Sequence, residues 1–385
     1  MIYLDHAATT PTDPEVVEAM LPYFTEKFGN PSSIHSAGVA GKKALREARQ
    51  TVAKYLNCKD KEIILTGSGT ESDNLAIMGV CEAYLLREQK KGHIITSNFE
   101  HHAVLDCVKH LEKLQVFEAT YLPVDKDGLI DPEDLRKAIK DNTVLVSIMY
   151  GNNEVGTIEP IKELAAVCHE KGVLFHTDAC QAMGYLNVDV QELGVDLMTI
   201  NGSKIYGPKG TGALYCREGI KLQRQIFGGG QEKGLRAGTE NVPGLVGFAK
   251  AVEKAVSNYE QNYKEVKAMR DEMWKKMQQE VEGLTLNGHA EKRLPNNLNV
   301  SIAGIEGEAA LLRLDAKGIC ASSGSACTSG SLEPSYVLKA IGLTDEKAHG
   351  SLRFTLGKSN TEEQIKEFVK AFKKVVEDLR KISAV

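Results

Sequence analysis

Short apolar runs alternate with longer amphipathic stretches along residues 62–200. EIILT (62–66), HIIT (93–96), TVLVSIMY (143–150), GVLFHT (172–177) and VDLMTI (195–200) are apolar enough throughout to be strands buried on both faces. Helical spacing fills the intervals at about 71–88, 102–114, 131–140 and 160–170. This alternation predicts a parallel sheet covered by helices on both sides. Upstream, Asp13-Pro14 followed by EVVEAMLPYFTEKF reads as one capped helix with proline in its first turn, ended by Gly29-Asn30-Pro31. A second amphipathic stretch covers about 39–55.

Beyond about residue 243 the pattern changes. A long helical region runs to about 280, followed by NNLNVSI (296–302), a helix at about 307–316 and SLRFTL (351–356). The last helix opens on Thr361-Glu362-Glu363-Gln364, a capping-box pattern, and carries Ile365, Phe368, Val369, Phe372, Val376 and Leu379 on one stripe. These elements predict a smaller α+β domain packed on the large one. The expected division is 14–255 for the large domain, and 1–13 with 256–385 for the small one.

Composition narrows the function classes. The 385 residues are 42% hydrophobic and 26% charged, with a net charge of −5, which calls for neither a nucleic-acid nor an acidic-membrane partner. No apolar run approaches the roughly 18 residues of a membrane span. MIYLDHAATT has neither a basic leader nor a long apolar stretch, so no secretory or transit signal is expected. Eight cysteines (58, 81, 107, 168, 180, 216, 320 and 327) are scattered without CxxC pairs, which argues against a zinc site or disulfide framework and for a reducing cytoplasm.

Candidate chemistry sits at or just beyond strand ends, where open α/β sheets bind ligands. TGSGTES (66–72) follows a strand and opens a helix, so its backbone N–H groups and the Thr70 hydroxyl suit a phosphate; a plain glycine turn is the alternative. In FHTDACQ (175–181), Asp178 either caps a following helix or pairs with a cation such as a protonated pyridine nitrogen. In NGSKIYGPKGTG (201–212), Lys204 is an amine nucleophile or base, or else a surface lysine, with Lys209 as rival in the same loop. After HIITSNF come Glu100-His101-His102, where a histidine could stack on a flat ring or shuttle protons, or simply sit satisfied in the core. A sheet, a phosphate loop, a buried aspartate and a lysine fit pyridoxal phosphate. One thiol stands apart: Cys327 lies in ASSGSACTSGS (321–331) among small polar residues, unlike a packed structural cysteine. Cys320, by contrast, follows an apolar pattern and is expected in the core.

YLDHAATT, FGNPSS, TESDNLAI, EHHAVL, NNEVGT, HTDACQ, SKIYGPKG, RAGTENV, SSGSACTSGSLEPSY and SLRFTLG, in order over nearly the whole chain, resemble the cysteine desulfurases. These are class V aminotransferase-like enzymes of fold-type I, with a mostly parallel seven-stranded sheet in the large domain and a smaller α+β domain. SSGSACTSG resembles the long-loop branch that serves iron–sulfur cluster assembly. The resemblance implies a pyridoxal 5'-phosphate enzyme that converts L-cysteine to L-alanine. Lys204 matches the lysine that carries the cofactor, Asp178 the partner of its pyridine nitrogen, Gln181 a contact to its ring oxygen and His101 the histidine that stacks on the ring and moves protons. Gly69 and Thr70 match the phosphate loop. Asn153 matches a cofactor and substrate contact, Arg353 the arginine that grips the substrate carboxylate, and Cys327 the nucleophile that accepts sulfur as a persulfide. Thr239 matches a phosphate contact supplied by the partner subunit, which implies a homodimer. Many members read Ser-x-His-Lys where this chain reads Asn201-Gly202-Ser203-Lys204; Asn201 and Ser203 still hydrogen-bond, but a ring-bearing donor to the phosphate is lost.

Other readings differ in what they require. A transaminase on the same fold needs no loop thiol, and Cys327 speaks against it, whereas a selenocysteine lyase would keep the same residues. A partner-binding scaffold could dispense with Lys204, Cys327 and Arg353. A nicotinamide dehydrogenase would need a G-x-G-x-x-G after its first strand, which is missing. The expected setting is cytoplasmic, with an iron–sulfur scaffold or thiolation relay as sulfur acceptor.

Overall fold

The computed structural model describes residues 1–323 and 333–383. Its strands are β1 (Ile2–Tyr3), β2 (Ile63–Thr66), β3 (Gly92–Ser97), β4 (Phe117–Leu122), β5 (Thr143–Ser147), β6 (Leu174–Asp178), β7 (Leu197–Asn201), β8 (Gly212–Cys216), β9 (Leu284–Leu286), β10 (Asn297–Ile302), β11 (Ile319–Cys320) and β12 (Ser351–Thr355). Seven of them form the central sheet in the order β2-β8-β7-β6-β5-β3-β4. All neighbours are parallel except β8, which runs antiparallel to both β2 and β7. The expected doubly covered, mostly parallel sheet is therefore present. Leu145, Val146, Phe175, Leu197 and Ile200 are fully buried in it.

Sequence and structure part company at identifiable places. The single helix expected after Asp13 is two, Pro14–Met20 and Pro22–Thr25, because Pro22 has no N–H to continue the first. The long helical region after 243 divides at Asn258 into Val242–Ser257 and Tyr259–Glu280. The run 143–150 is a strand only to Ser147; Tyr150 already hydrogen-bonds back to the Asp178 carbonyl as the chain turns into the site. Strands β4 and β8 lay outside the apolar runs. Phe117–Leu122 is an edge strand buried only at its two ends, and Gly212–Cys216 opens on a glycine. Cys320, expected in the core, is half-buried on the small β1–β11 pair.

A second core lies under the sheet β12-β10-β9. The helix Glu362–Ser383 lays its predicted stripe there: Phe354 meets Phe368 edge-on at 4.8 Å and Phe368 stacks on Phe372 at 5.6 Å. Each such ring contributes about 1.5–3 kcal/mol of burial. The predicted capping box forms, Thr361 and Gln364 each accepting the other's backbone N–H on their side chains. The chain's first ten residues tie this part to the large sheet. Leu4 and His6 exchange backbone hydrogen bonds with Thr355, and the Thr10 N–H donates to the Ser203 carbonyl.

Candidate active site

Five strand ends and β12 converge on one cleft of about 720 Å³. After β2 the chain turns through Gly67-Ser68 into the 20-residue helix Gly69–Glu88, with Ser68 as N-cap accepting from the Glu71 N–H at 3.0 Å. The N–H groups of Gly69 and Thr70 cannot be satisfied within the helix, and they line the cleft. A side chain at position 69 would come within 2.7 Å of Cys180 Sγ and 3.1 Å of Asn201 Nδ2, so only bare backbone fits there.

After β3, Glu100 is buried, accepting from Ser97 Oγ and the Met149 N–H, and burial pushes its carboxyl up to about 8. His101 caps the helix His102–Lys113: its Nδ1 accepts from the Ala103 N–H at 3.1 Å. In the neutral ring the proton therefore sits on Nε2. Burial lowers the His101 pKa, opposed by the nearby Asp178. His102 goes elsewhere, edge-on to Tyr336 and 3.6 Å from Asp106, so the two histidines do not act as a pair.

After β5, Asn152 pins the next turn by accepting from the N–H groups of Glu154 and Val155, and Asn153 enters the cleft. Asp178 ends β6 and accepts from the Cys180 N–H at 2.8 Å. It caps a turn rather than a helix, which removes one of its two sequence readings. Gln181 donates to the Ala7 carbonyl, leaving its second amide hydrogen available. Beyond β7, Lys204 is half-buried and its amine donates to the Ala8 carbonyl; Lys209 is exposed. Asn201 and Ser203 line the same wall, and Asn201 Oδ1 is buried without a hydrogen-bond partner. On β12, Arg353 donates through Nη1 to the Asn153 carbonyl at 3.0 Å and through Nη2 to Asp5 at 2.8 Å, while its buried Nε has no hydrogen-bond partner.

Gly69, Thr70, His101, Asn153, Asp178, Gln181, Asn201, Ser203, Lys204 and Arg353 thus share one cleft. Thr239 does not: it is exposed and is not part of the cleft lining. Cys327 lies outside the described residues, as do Gly324, Ser325 and Gly330; the chain resumes at Glu333–Tyr336, which line the cleft. Pattern reading missed four lining or supporting residues. Asp5 holds Arg353. Glu154 is buried, accepts from Ser335 Oγ and is pushed up to about 7 by burial. Asp73 is a buried acid on the helix Gly69–Glu88. Tyr336 donates to the Glu100 carbonyl. Asp73 left a trace: it stands where Ala76, Ile77 and Val80 continue a buried helical stripe, a polar residue in an apolar row.

A strand-end cleft of this kind, with a lysine, an aspartate and an open helix N-terminus, defines a fold-type I transferase. The comparisons narrow that class. The family model for aminotransferase class-V matches residues 2–368. Cysteine desulfurase IscS of Dictyoglomus turgidum is 51% identical over 382 residues, covering 99% of this chain and 96% of that protein. Among solved structures, a NifS-like protein superposes with a TM-score of 0.92 at 37% identity, covering 98% of this chain and 100% of that one. SspA in complex with cysteine superposes at 0.82 with 35% identity, covering 94% and 100%. The chain belongs to the class-V aminotransferase family, within its cysteine desulfurase branch.

Proposed function

We propose that the chain is a pyridoxal-phosphate-dependent cysteine desulfurase that converts L-cysteine to L-alanine and passes the sulfur to Cys327. The carrying observation is the convergence of Lys204, Asp178, His101, the Gly69–Thr70 helix start and Arg353 on one cleft. The donor set fits the cofactor. Bare backbone at Gly69, the helix dipole, Thr70, Ser203 and the Asn201 Nδ2 donor beside Gly69 suit a phosphate. Asp178 suits a protonated ring nitrogen, the free amide hydrogen of Gln181 a ring oxygen, and the His101 imidazole a ring face.

When bound, the cofactor supplies an electron sink for the substrate Cα. The protein does the rest. Arg353 takes the substrate carboxylate in a charge-assisted, directional contact, helped by Asn153. Lys204, its amine oriented by the Ala8 carbonyl, removes and returns the Cα proton. His101, with Nδ1 committed to the Ala103 N–H, offers Nε2–H as a donor that stabilises negative charge on sulfur; it accepts a proton only by releasing that cap. Cys327 attacks the substrate sulfur. The substrate C–S bond breaks and an S–S bond forms; Cβ is reduced and becomes the alanine methyl, the sulfurs are oxidised to the persulfide, and the Cys327 thiol proton is balanced by the proton gained at Cβ.

Further readings accompany this one. Thr239, exposed and away from its own cleft, reaches the phosphate of a second copy, so the working unit is a homodimer. The exposed Val17, Leu21, Phe24, Phe28 and Ile34, all within the first 34 residues, support an apolar surface for a second copy to cover. The division into 14–255 and 1–13 with 256–385 is supported by the separate core under β12-β10-β9. The setting is cytoplasmic, and the acceptor is an iron–sulfur scaffold or thiolation relay.

The test is release of alanine and sulfide from L-cysteine, under reductant, by the cofactor-loaded protein. Equal yields that scale with enzyme are expected. Cys327→Ser should abolish sulfide release and leave the cofactor spectrum intact. Neither product from loaded wild-type protein overturns the reading.

A further inference from the structure

Asp73 is a cleft acid that the reaction above does not use, as are Glu154 and Glu333, and it is the one that starts from the phosphate-facing helix. It sits one turn into the helix whose start faces the phosphate position, lines the cleft, and is only 1% exposed. Its Oδ1 is buried with no hydrogen-bond partner. The sheet register places Thr199 of β7 beside Asp178 of β6, and the Thr199 hydroxyl favours the charged form of Asp73 from the same spot. His176, on β6, holds its Nε2 3.7 Å from Asp73 Oδ1. That ring is neutral: burial drives its pKa down to about 3, and it bonds Ser147 Oγ and Thr199 Oγ1 instead. The other groups facing Asp73 are Asp178, Glu100 from the β3 loop, and the thiols Cys180 and Cys107. No cation stands among these neighbours. The Lys204 charge acts on His101 and Cys180.

We propose that Asp73 is a positioning residue for the Asp178 carboxylate: buried with an unpartnered oxygen and only a neutral imidazole beside it, Asp73 keeps its proton in the free protein and gives it up when a cation enters the cleft against Asp178. This rests on the reading of the cleft as a pyridoxal phosphate site. Burial and then the Asp178 charge raise the Asp73 pKa, opposed by Thr199. A cationic ring nitrogen beside Asp178 reverses the balance, because an opposite charge at close range favours ionisation. With both acids ionised, that nitrogen keeps its proton more firmly than Asp178 alone would ensure.

The sign follows from linkage. A carboxyl whose folded pKa is raised adds stability that is full below the unfolded value and is lost as pH rises toward the folded one. Asp73→Asn should therefore raise the melting temperature of the cofactor-free protein, by an increment that grows from pH 5 to pH 8. Titrating the same proteins with pyridoxal phosphate by fluorescence should show wild-type affinity rising with pH across that range. In Asp73→Asn the slope should flatten and binding at pH 8 weaken by about tenfold, the scale of one nearby charge. The absorbance titration of the bound cofactor should shift its ring-linked transition to lower pH. Asp73→Ser is the second variant if Asp73→Asn fails to fold. A pH-independent melting shift with an unchanged binding slope overturns the inference. If wild-type protein itself binds no pyridoxal phosphate, the reading of the cleft falls instead.

Discussion

Arg293 and Arg353 are buried alike, 1% and 2% exposed, yet they do opposite things. Arg293 spends its guanidinium on the backbone. Nε donates to the His289 carbonyl, Nη1 to those of Val155 and Asn297, and Nη2 to that of Asn287. Burial and the neighbouring Arg270 charge pull its pKa down to about 9, still well above neutrality, so the charge persists. It knits the turn after β5 to the stretch before β10. Arg353 has one carbonyl and one carboxylate, Asn153 and Asp5, and a buried Nε with no hydrogen-bond partner. Equal burial therefore says nothing about role. The difference lies in how fully each fork of donors is occupied from within. A saturated arginine is structural, and a cleft-lining arginine whose donors are not all occupied is poised for a ligand.

The comparison breaks most visibly if Arg293 proves dispensable. Arg293→Met leaves those buried carbonyls without donors, at about 1–3 kcal/mol for each one orphaned. The expected outcome is the largest loss of melting temperature of any single change here, read by thermal unfolding. A loss within that of an ordinary surface variant would remove the contrast. Arg353→Lys should do the reverse. Lysine keeps the charge but not the fork, so kcat/KM for L-cysteine should fall about a hundredfold, mainly through KM, while stability stays within about 1 kcal/mol. Unchanged kinetics with lowered stability would make Arg353 a second Arg293.

A smaller effect sharpens the same idea for acids. Glu159 is buried away from the cleft lining, its Oε2 accepting from the Ile130 N–H and its Oε1 unpartnered. Burial raises it to about 8, with the Glu100 and Asp125 charges adding and Lys292 opposing. Its folded pKa lies above the unfolded one, so its contribution to stability is full below about 4.5 and is lost as pH climbs toward 8. Glu159→Gln should match wild type in melting temperature at pH 4.5 and exceed it increasingly up to pH 8. A difference that does not change with pH would show that the group is not held protonated.

What the sequence made legible follows from where each residue stands. Lys204 and Asp178 were found because they terminate apolar runs, and strand ends are where such sheets bind ligands. Their neighbours in the motifs were quoted but not weighed: Asp5 and Glu154 act through residues far along the chain, Arg353 and Ser335, which no local pattern reveals. Asp73 hid inside a helical stripe. Strand β4 was lost because this edge strand is buried only at its two ends instead of running apolar, and the Pro22 break because the amphipathic spacing continues across it. Thr239 is exposed and does not line the cleft.

The anchoring of Arg353 has a consequence for the order of assembly. Asp5 meets Arg353, and the Ala7 N–H meets Thr355 Oγ1, across 348 positions of chain. Lys204 leans on the carbonyl of Ala8 from that same leading segment. Contacts of such sequence separation are slow to form, since the loop they close must be ordered before they reward it. On the ribosome the leading residues emerge first and must wait for nearly the whole polypeptide before β12 arrives to receive them. A nascent chain can build the large sheet early, yet its catalytic pocket is finished only after release, so the newly made protein passes through a stage that is folded at its centre and inert.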